Sequence, residues 1–215
     1  MKTLPSQADL ERAAEAFDRD WGGVGEVLYG ICCQHFGHSV RREVTAKIAL
    51  IDRAYSAGLE RRVTPPIGKQ AITVIADFVL AHAARIDDII ARLTRLQEPL
   101  SSEAMAQIVV AHGRLTALLQ RVATDGKAPR SFAAKYLHFH CPIVPIYDSY
   151  AAARLTGLVR WDARKVPFER PAEGDADYWD FCVRFLCLYE ACLSAGTIVS
   201  VKGLDTYLWA VPGSK

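Results

Sequence analysis

Residues 129–150 hold side chains suited to chemistry: the carboxylate of Asp148, the amine of Lys135, the guanidinium of Arg130 and the rings of Tyr136, Tyr147 and Tyr150. Asp148 follows a proline-bearing extended link, Cys141-Pro142-Ile143-Val144-Pro145, and stands where a new helix starts, a position at which aspartate serves as a cap. A helix-opening aspartate can cap with one oxygen and turn the other into a cleft. A carboxylate held that way stabilises positive charge as it builds on a sugar carbon and orients water for attack there. The tyrosines, with Trp161 further on, are candidates for the stacking walls of a pocket, core packing being the competing role for each.

Other constellations carry less. Gly22-Gly23-Val24-Gly25 has the composition of a phosphate loop, but no strand precedes it and no Gly-Lys-Ser/Thr follows, which makes it a turn. Cys32, Cys33, His35 and His38 offer ligand-type groups from one helix and its end, with no second cluster to complete a metal's shell. His138 and His140 alternate along a helix and face apart. The chain contains no Gly-x-Ser-x-Gly elbow and no His-Glu-x-x-His, so the sequence calls for neither a metal nor a cofactor.

The elements that must position these residues read as helices throughout. Ser6 and Asp9 form a capping box ahead of a first helix through Leu10, Ala13, Ala14 and Phe17, which the glycines after Trp21 separate from a second through Leu28 and Cys32. A third carries Val44, Ile48, Ile51, Tyr55 and Leu59. Thr64-Pro65 reads as a helix start, and residues 67–82 are apolar nearly all round, which predicts a central helix. Ile86 to Leu96, a long helix capped by Ser102, a short helix from Arg130, one opened by Asp148 and ending at Gly157, a long one over 176–194 and a short one over 204–209 complete the order. No alternating strand pattern and no repeat interrupts it, which predicts one all-α domain over residues 1–215 with about ten helices and no sheet.

At 215 residues, 51% hydrophobic and 23% charged, the chain can bury a full core and is neither disordered nor fibrous. The apolar stretch 72–84 is too short to cross a bilayer, and no signal-type run opens the chain, so a soluble, cytoplasmic protein is expected, its six cysteines reduced. Charge is uneven: residues 41–69 hold seven basic and three acidic side chains and 121–165 eight and three, whereas 169–190 hold two and six. The two basic regions form one binding face or are simply solvated helix surface.

Ala133-Ala134, the proline-containing link and Ile146-Tyr147-Asp148-Ser149-Tyr150 resemble the core of the helix-hairpin-helix DNA glycosylase superfamily, which includes endonuclease III and 8-oxoguanine DNA glycosylase. There a helix with paired small residues and a proline link precede an apolar-apolar-Asp segment, and Asp148 falls at the family's catalytic aspartate. The helix entered through Thr45-Ala46-Lys47 is similar to the early helix whose start probes the damaged strand. The resemblance implies a DNA partner, a flipped base in a pocket, and Lys47, Lys127, Arg130 and Lys135 as phosphate contacts. Two departures qualify the kind of enzyme. The Leu-Pro-Gly-Val-Gly hairpin is replaced by Asp125-Gly126-Lys127-Ala128-Pro129, and counting back about eighteen residues from Asp148 to the family's nucleophilic lysine reaches Arg130, which cannot act as an amine. The implied activity is therefore monofunctional N-glycosidic cleavage; the alternative is a non-catalytic helical module that binds nucleic acid or a protein.

Overall fold

Ser6 starts the first helix as its spacing predicts: its hydroxyl accepts the Asp9 N–H at 3.2 Å and the Asp9 carboxylate accepts the Ser6 N–H at 2.9 Å. The computed structural model describes residues 4–160, 162 and 166–210, and every regular element among them is helical. They are α1 (Gln7–Gln34), α2 (Arg41–Ala49), α3 (Ala71–Ala81), α4 (Ala83–Leu93), α5 (Ser102–Gln120), α6 (Arg130–His140), α7 (Ser149–Leu158), α8 (Ala176–Ser194) and α9 (Val201–Ala210), with a π-helical turn at Leu50–Ala54 and a 3₁₀ turn at Glu60–Arg62. No described helix is long and apolar enough to cross a membrane.

Several boundaries differ from the sequence expectation: Ser101 rather than Ser102 caps α5, and the helix expected through Leu59 gives way after Ala49 to the π-helical turn. Trp21-Gly22-Gly23-Val24-Gly25 does not break the chain; α1 runs through it, because α9 and α6 pack along its length and outweigh a helix penalty of about 1 kcal/mol per glycine. Thr64-Pro65 does not open a helix either: Gly68 adopts φ +80 in a turn closed by the Lys69 N–H and the Pro66 carbonyl, and α3 begins at Ala71. His82 then divides α3 from α4, its Nδ1–H donating to the Phe78 carbonyl at 2.8 Å and displacing the regular backbone bond there.

The central helix is α6 rather than the one expected over 67–82. Residues 132–139 are all buried, against α1, α5 and the π-helical turn, whereas α3 buries one face through Ile72, Ile75, Ala76 and Val79. Ile72, Ile75, Val79, Ile108, Val109 and Leu137 lie in one apolar cluster, with Phe78 partly buried against it. The loop before α8 crosses α5 at backbone contact: a Cβ on Gly113 would stand 1.9 Å from the Glu173 carbonyl oxygen. That approach places Asp175, the α8 cap, beside the start of α6.

Histidines are unusually prominent in this core. His112 stacks on Tyr178 with ring centroids 3.5 Å apart and donates to the Arg130 carbonyl, and burial holds it neutral to about 4. Burial lowers His138 to about 4 and His140 to about 3. Unfolded imidazoles titrate near 6.5, so between pH 6.5 and 4 the unfolded chain holds more protons and stability falls as the pH falls. Asp205, whose carboxyl burial pushes well above the usual carboxylate range, acts in the opposite sense, but one such group is outweighed by three histidines. Each histidine is expected to remove about 2 kcal/mol between pH 7 and pH 5. Denaturant melts at the two pH values should show a net loss, and His112→Gln should flatten it; equal stability at both would contradict neutral, buried imidazoles.

Candidate functional site

The site is organised around the side chain of Lys135, which is only 7% exposed. Its position follows from the π-helical turn. The buried carboxylate of Asp52 accepts the Leu59 N–H at 2.6 Å, the donor that a continuing α-helix would have sent to the Tyr55 carbonyl, and the Glu60 N–H at 2.9 Å. That carbonyl is left free, and Lys135 Nζ donates to it at 2.7 Å. Asp148 approaches from the other side. It caps α7 by accepting the Ala151 N–H on Oδ1 at 2.8 Å, and its Oδ2 lies 3.9 Å from Lys135 Nζ. Burial lowers the Lys135 amine, with the charges of Asp148 and then Asp52 opposing the shift.

Both groups line an open cavity of about 710 Å³. Phe17, Trp21 and Tyr29 recur every fourth residue along α1 and form one wall, joined by Trp209 of α9, which meets Phe17 and Trp21 edge-on at 5.7 and 5.5 Å. Tyr55 and Phe139 contribute a second aromatic surface, their centroids 4.9 Å apart. Tyr147, edge-on to Phe181, and Tyr150, 74% exposed, stand at the Asp148 side.

The polar lining of the cavity has fixed proton positions. His138 Nδ1 lies 2.7 Å from the Val144 carbonyl, which only accepts, so the proton of this neutral ring is there and Nε2 is bare. The Tyr29 hydroxyl, 2.6 Å from Nε2, must donate to it, leaving its oxygen an acceptor only. Asp205 is buried beside the same imidazole, Oδ2 3.6 Å from Nδ1, and accepts the Ile146 N–H; with no Lys or Arg within 4.0 Å among the described residues, burial pushes its carboxyl well above the usual carboxylate range.

The two basic regions meet at the cavity rim. Thr124 donates to the Arg62 carbonyl from both its N–H and its hydroxyl, at 2.8 and 2.9 Å, and Thr64 N–H donates back to the Thr124 hydroxyl at 3.2 Å. Arg62 also donates to the Ala128 carbonyl. Arg61, Arg62 and Lys127 are thereby carried on two stitched loops, with Arg61 and Arg62 lining the cavity.

Of the residues singled out by sequence, Asp148, Lys135, Arg130, Tyr147 and Tyr150 line the cavity, and Lys127 is exposed on the adjoining loop. Arg130 is not free for phosphate: Nε donates to Asp175 at 2.6 Å and Nη2 pairs with Asp177 at 3.0 Å, fastening α6 to the start of α8. Lys47 is fully buried, its amine directed at the Phe36 and Gly37 carbonyls and His140 Nε2, so it reaches no surface ligand. Tyr136 is buried away from the cavity, bonded to His38 Nε2 at 2.7 Å while His38 Nδ1 meets Asp87 at 2.6 Å. Trp161 lies outside the described residues. Among the described residues no three His, Cys, Asp or Glu side chains gather as a metal site. Sequence reasoning missed the α1 wall, Asp205, Lys202 and Trp209; the fourfold recurrence of Phe17, Trp21, Gly25 and Tyr29 was the available signal, hidden by reading the glycines as a turn.

Asp52 is expected to act on the site through backbone geometry. Asp52→Ala removes the acceptor of two buried or half-buried N–H groups, a loss of about 3 kcal/mol, and lets the Leu59 N–H compete with Lys135 for the Tyr55 carbonyl. Thermal melts should register the loss, and Trp21 emission should shift as the turn beneath it rearranges. Wild-type stability and emission would show that the turn does not hold Lys135.

Compared with protein-family models, curated proteins and solved structures, the chain matches none, so its chemistry is read from this geometry.

Proposed function

We propose that this chain binds DNA, receives an extrahelical base in the aromatic cavity and releases it by cleaving the N-glycosidic bond. One observation carries the proposal: Asp148 caps α7 with one oxygen while the other faces Lys135 in the wall of an open, aromatic-lined cavity of about 710 Å³, within the usual range for ligand sites. Flat aromatic walls suit a base taken out of its stack, and cations at the rim suit the phosphates on either side of it. As the C1′–N bond breaks, its electron pair leaves with the base and positive charge grows on the sugar. Asp148 stabilises that charge; a water oxygen then bonds to C1′ and gives up a proton.

Lys135 favours a second reading, strand-cleaving rather than purely hydrolytic. Arg130 stands where the resemblance places a lysine and is committed to Asp175 and Asp177, but Lys135 brings an amine to Asp148 from another turn of the same helix. Attack of its nitrogen on C1′ would displace the base and, after ring opening and proton loss, give an imine.

Asp148→Asn keeps the cap and removes the charge, so base release is expected to fall on the order of a hundredfold with little change in stability. Hydrolysis leaves an intact abasic site and no borohydride-trapped adduct, whereas an adduct lost in Lys135→Ala establishes the amine route. Absence of release across oxidised, deaminated and alkylated bases would leave the non-catalytic binding module. In that case and in the catalytic one, DNA affinity should fall with salt, and Arg61→Ala and Lys127→Ala should each flatten the log–log slope by about one. Lys47→Ala should not alter it, because that amine is buried. A slope indifferent to all three would remove the rim from the DNA face.

A further inference from the structure

The charges lining the cavity are not equivalent. Lys135 faces Asp148, Arg62 faces Asp125 at 4.0 Å, and Arg130 is held by two carboxylates. Lys202 has no carboxylate within 4.0 Å among the described residues, and neither does Arg61 at the rim. Lys202 lies in the first turn of α9, whose leading Val201 N–H is taken by the Glu98 carboxylate at 3.2 Å, so its backbone is anchored. Its Nζ sits 4.3 Å from the centre of the Tyr29 ring, above the tyrosine that lines the cavity. Tyr29 cannot neutralise it, since its hydroxyl proton is committed to His138 and the phenol stays un-ionised. Asp205, one turn further along α9, is buried, pairs with no described ammonium within 4.0 Å, and has its carboxyl pushed well above the usual carboxylate range by that burial. An ammonium without a counterion, over the face of an aromatic ring in a ligand-sized cavity, is a site for a negative group on the ligand.

We propose that Lys202 holds the departing base as an anion, and that the cavity therefore selects bases whose glycosidic nitrogen adjoins a ring carbonyl, as in uracil and 8-oxopurines, over N-alkylated bases that enter as cations. The proposal rests on the base-release reading above. When C1′–N breaks, the electron pair passes to the base nitrogen and spreads to the adjacent carbonyl oxygen, to which an ammonium N–H donates; the proton given up by the attacking water neutralises the base afterward. A cationic alkylated base leaves as a neutral molecule. It gains nothing from the ammonium at departure and is repelled by it on entry.

The test uses duplexes carrying uracil, a series of 5-substituted uracils of increasing N–H acidity, 8-oxoguanine, 7-methylguanine and 3-methyladenine. Release is expected at least tenfold faster from uracil and 8-oxoguanine than from the two alkylated bases. Lys202→Gln should slow uracil release tenfold or more and the most acidic leaving groups least, so the dependence of rate on leaving-group acidity steepens; a packing defect would slow all of them alike. A thermal melt confirms that this exposed substitution leaves the fold intact. Binding is read separately by quenching of Trp21 and Trp209 emission with free 5-nitrouracil as the anionic probe, uracil as the neutral one and 1-methyladenine as the cationic one. Wild type should prefer the anion tenfold, and Lys202→Gln should lose the preference. Faster release of alkylated bases, or an unchanged acidity dependence in Lys202→Gln, overturns the proposal and leaves base release standing. No release from any duplex, with anion binding that depends on Lys202, refutes the chemistry and keeps the anion site. Neither release nor preference refutes both.

Discussion

The burial of one ammonium, Lys135, sets the arrangement on which the cavity depends. A buried amine must find acceptors or lose its proton, and this one is supplied by a backbone carbonyl and a carboxylate from elements distant in the chain. The carbonyl is available because Ser56, at φ +49, ends the helix and Asp52 takes the Leu59 N–H that would otherwise have reached it, and the carboxylate is present because Asp148 opens α7. Three local choices, a π-helical turn, a buried lysine and an aspartate cap, are thus mutually dependent. Weakening any of them leaves a polar group buried without a partner, which is costlier than never having buried it.

The same helix that carries Lys135 separates structural from chemical roles by periodicity. Phe132, Tyr136 and His140 lie four apart and stack in succession, with centroids 5.5 and 4.9 Å apart, toward His38 and Lys47. Lys135, His138 and Phe139 lie on the adjoining face of the helix and line the cavity. The Asp87–His38–Tyr136 chain and the Lys47 contacts give the first face hydrogen-bond partners throughout, so it behaves as a rigid back wall for the second.

Much of this was legible in the sequence where one residue's local chemistry decides its place. Ser6, Asp148 and the bounds of α6 and α8 follow from capping and helical spacing, and the structure agrees with them. What failed required knowledge of neighbours. Glycines at 22, 23 and 25 look like a turn until α9 is laid along α1, and Lys47 looks like a surface cation until the carbonyls of residues 36 and 37 fold over it. Tyr136 looks like a pocket wall as an aromatic of the segment that carries Asp148, but adjacent residues on a helix point about 100° apart, and it turns to His38 where Lys135 turns to the cavity. The cavity itself draws walls from α1, α6, α7, α9 and the π-helical turn, and no linear spacing encodes that convergence.

The exchange of roles between Arg130 and Lys135 has a geometric reason. A guanidinium at the start of α6 presents separate nitrogens to Asp175 and Asp177, and so ties that helix to the α8 cap in a way a single ammonium would not reproduce. That tie also holds the loop that crosses α5 at Gly113, where no side chain fits. Moving five residues along α6 turns the side chain by about 140°, from the α8 latch to the cavity face. An amine at 135 can therefore meet Asp148 without giving up the latch, and the chain keeps both an anchored helix and a nitrogen at the carboxylate. Lys202 then adds a second ammonium from α9, beyond reach of any described carboxylate, so the two amines differ in kind: one is paired and buried, the other over Tyr29 and open to a ligand.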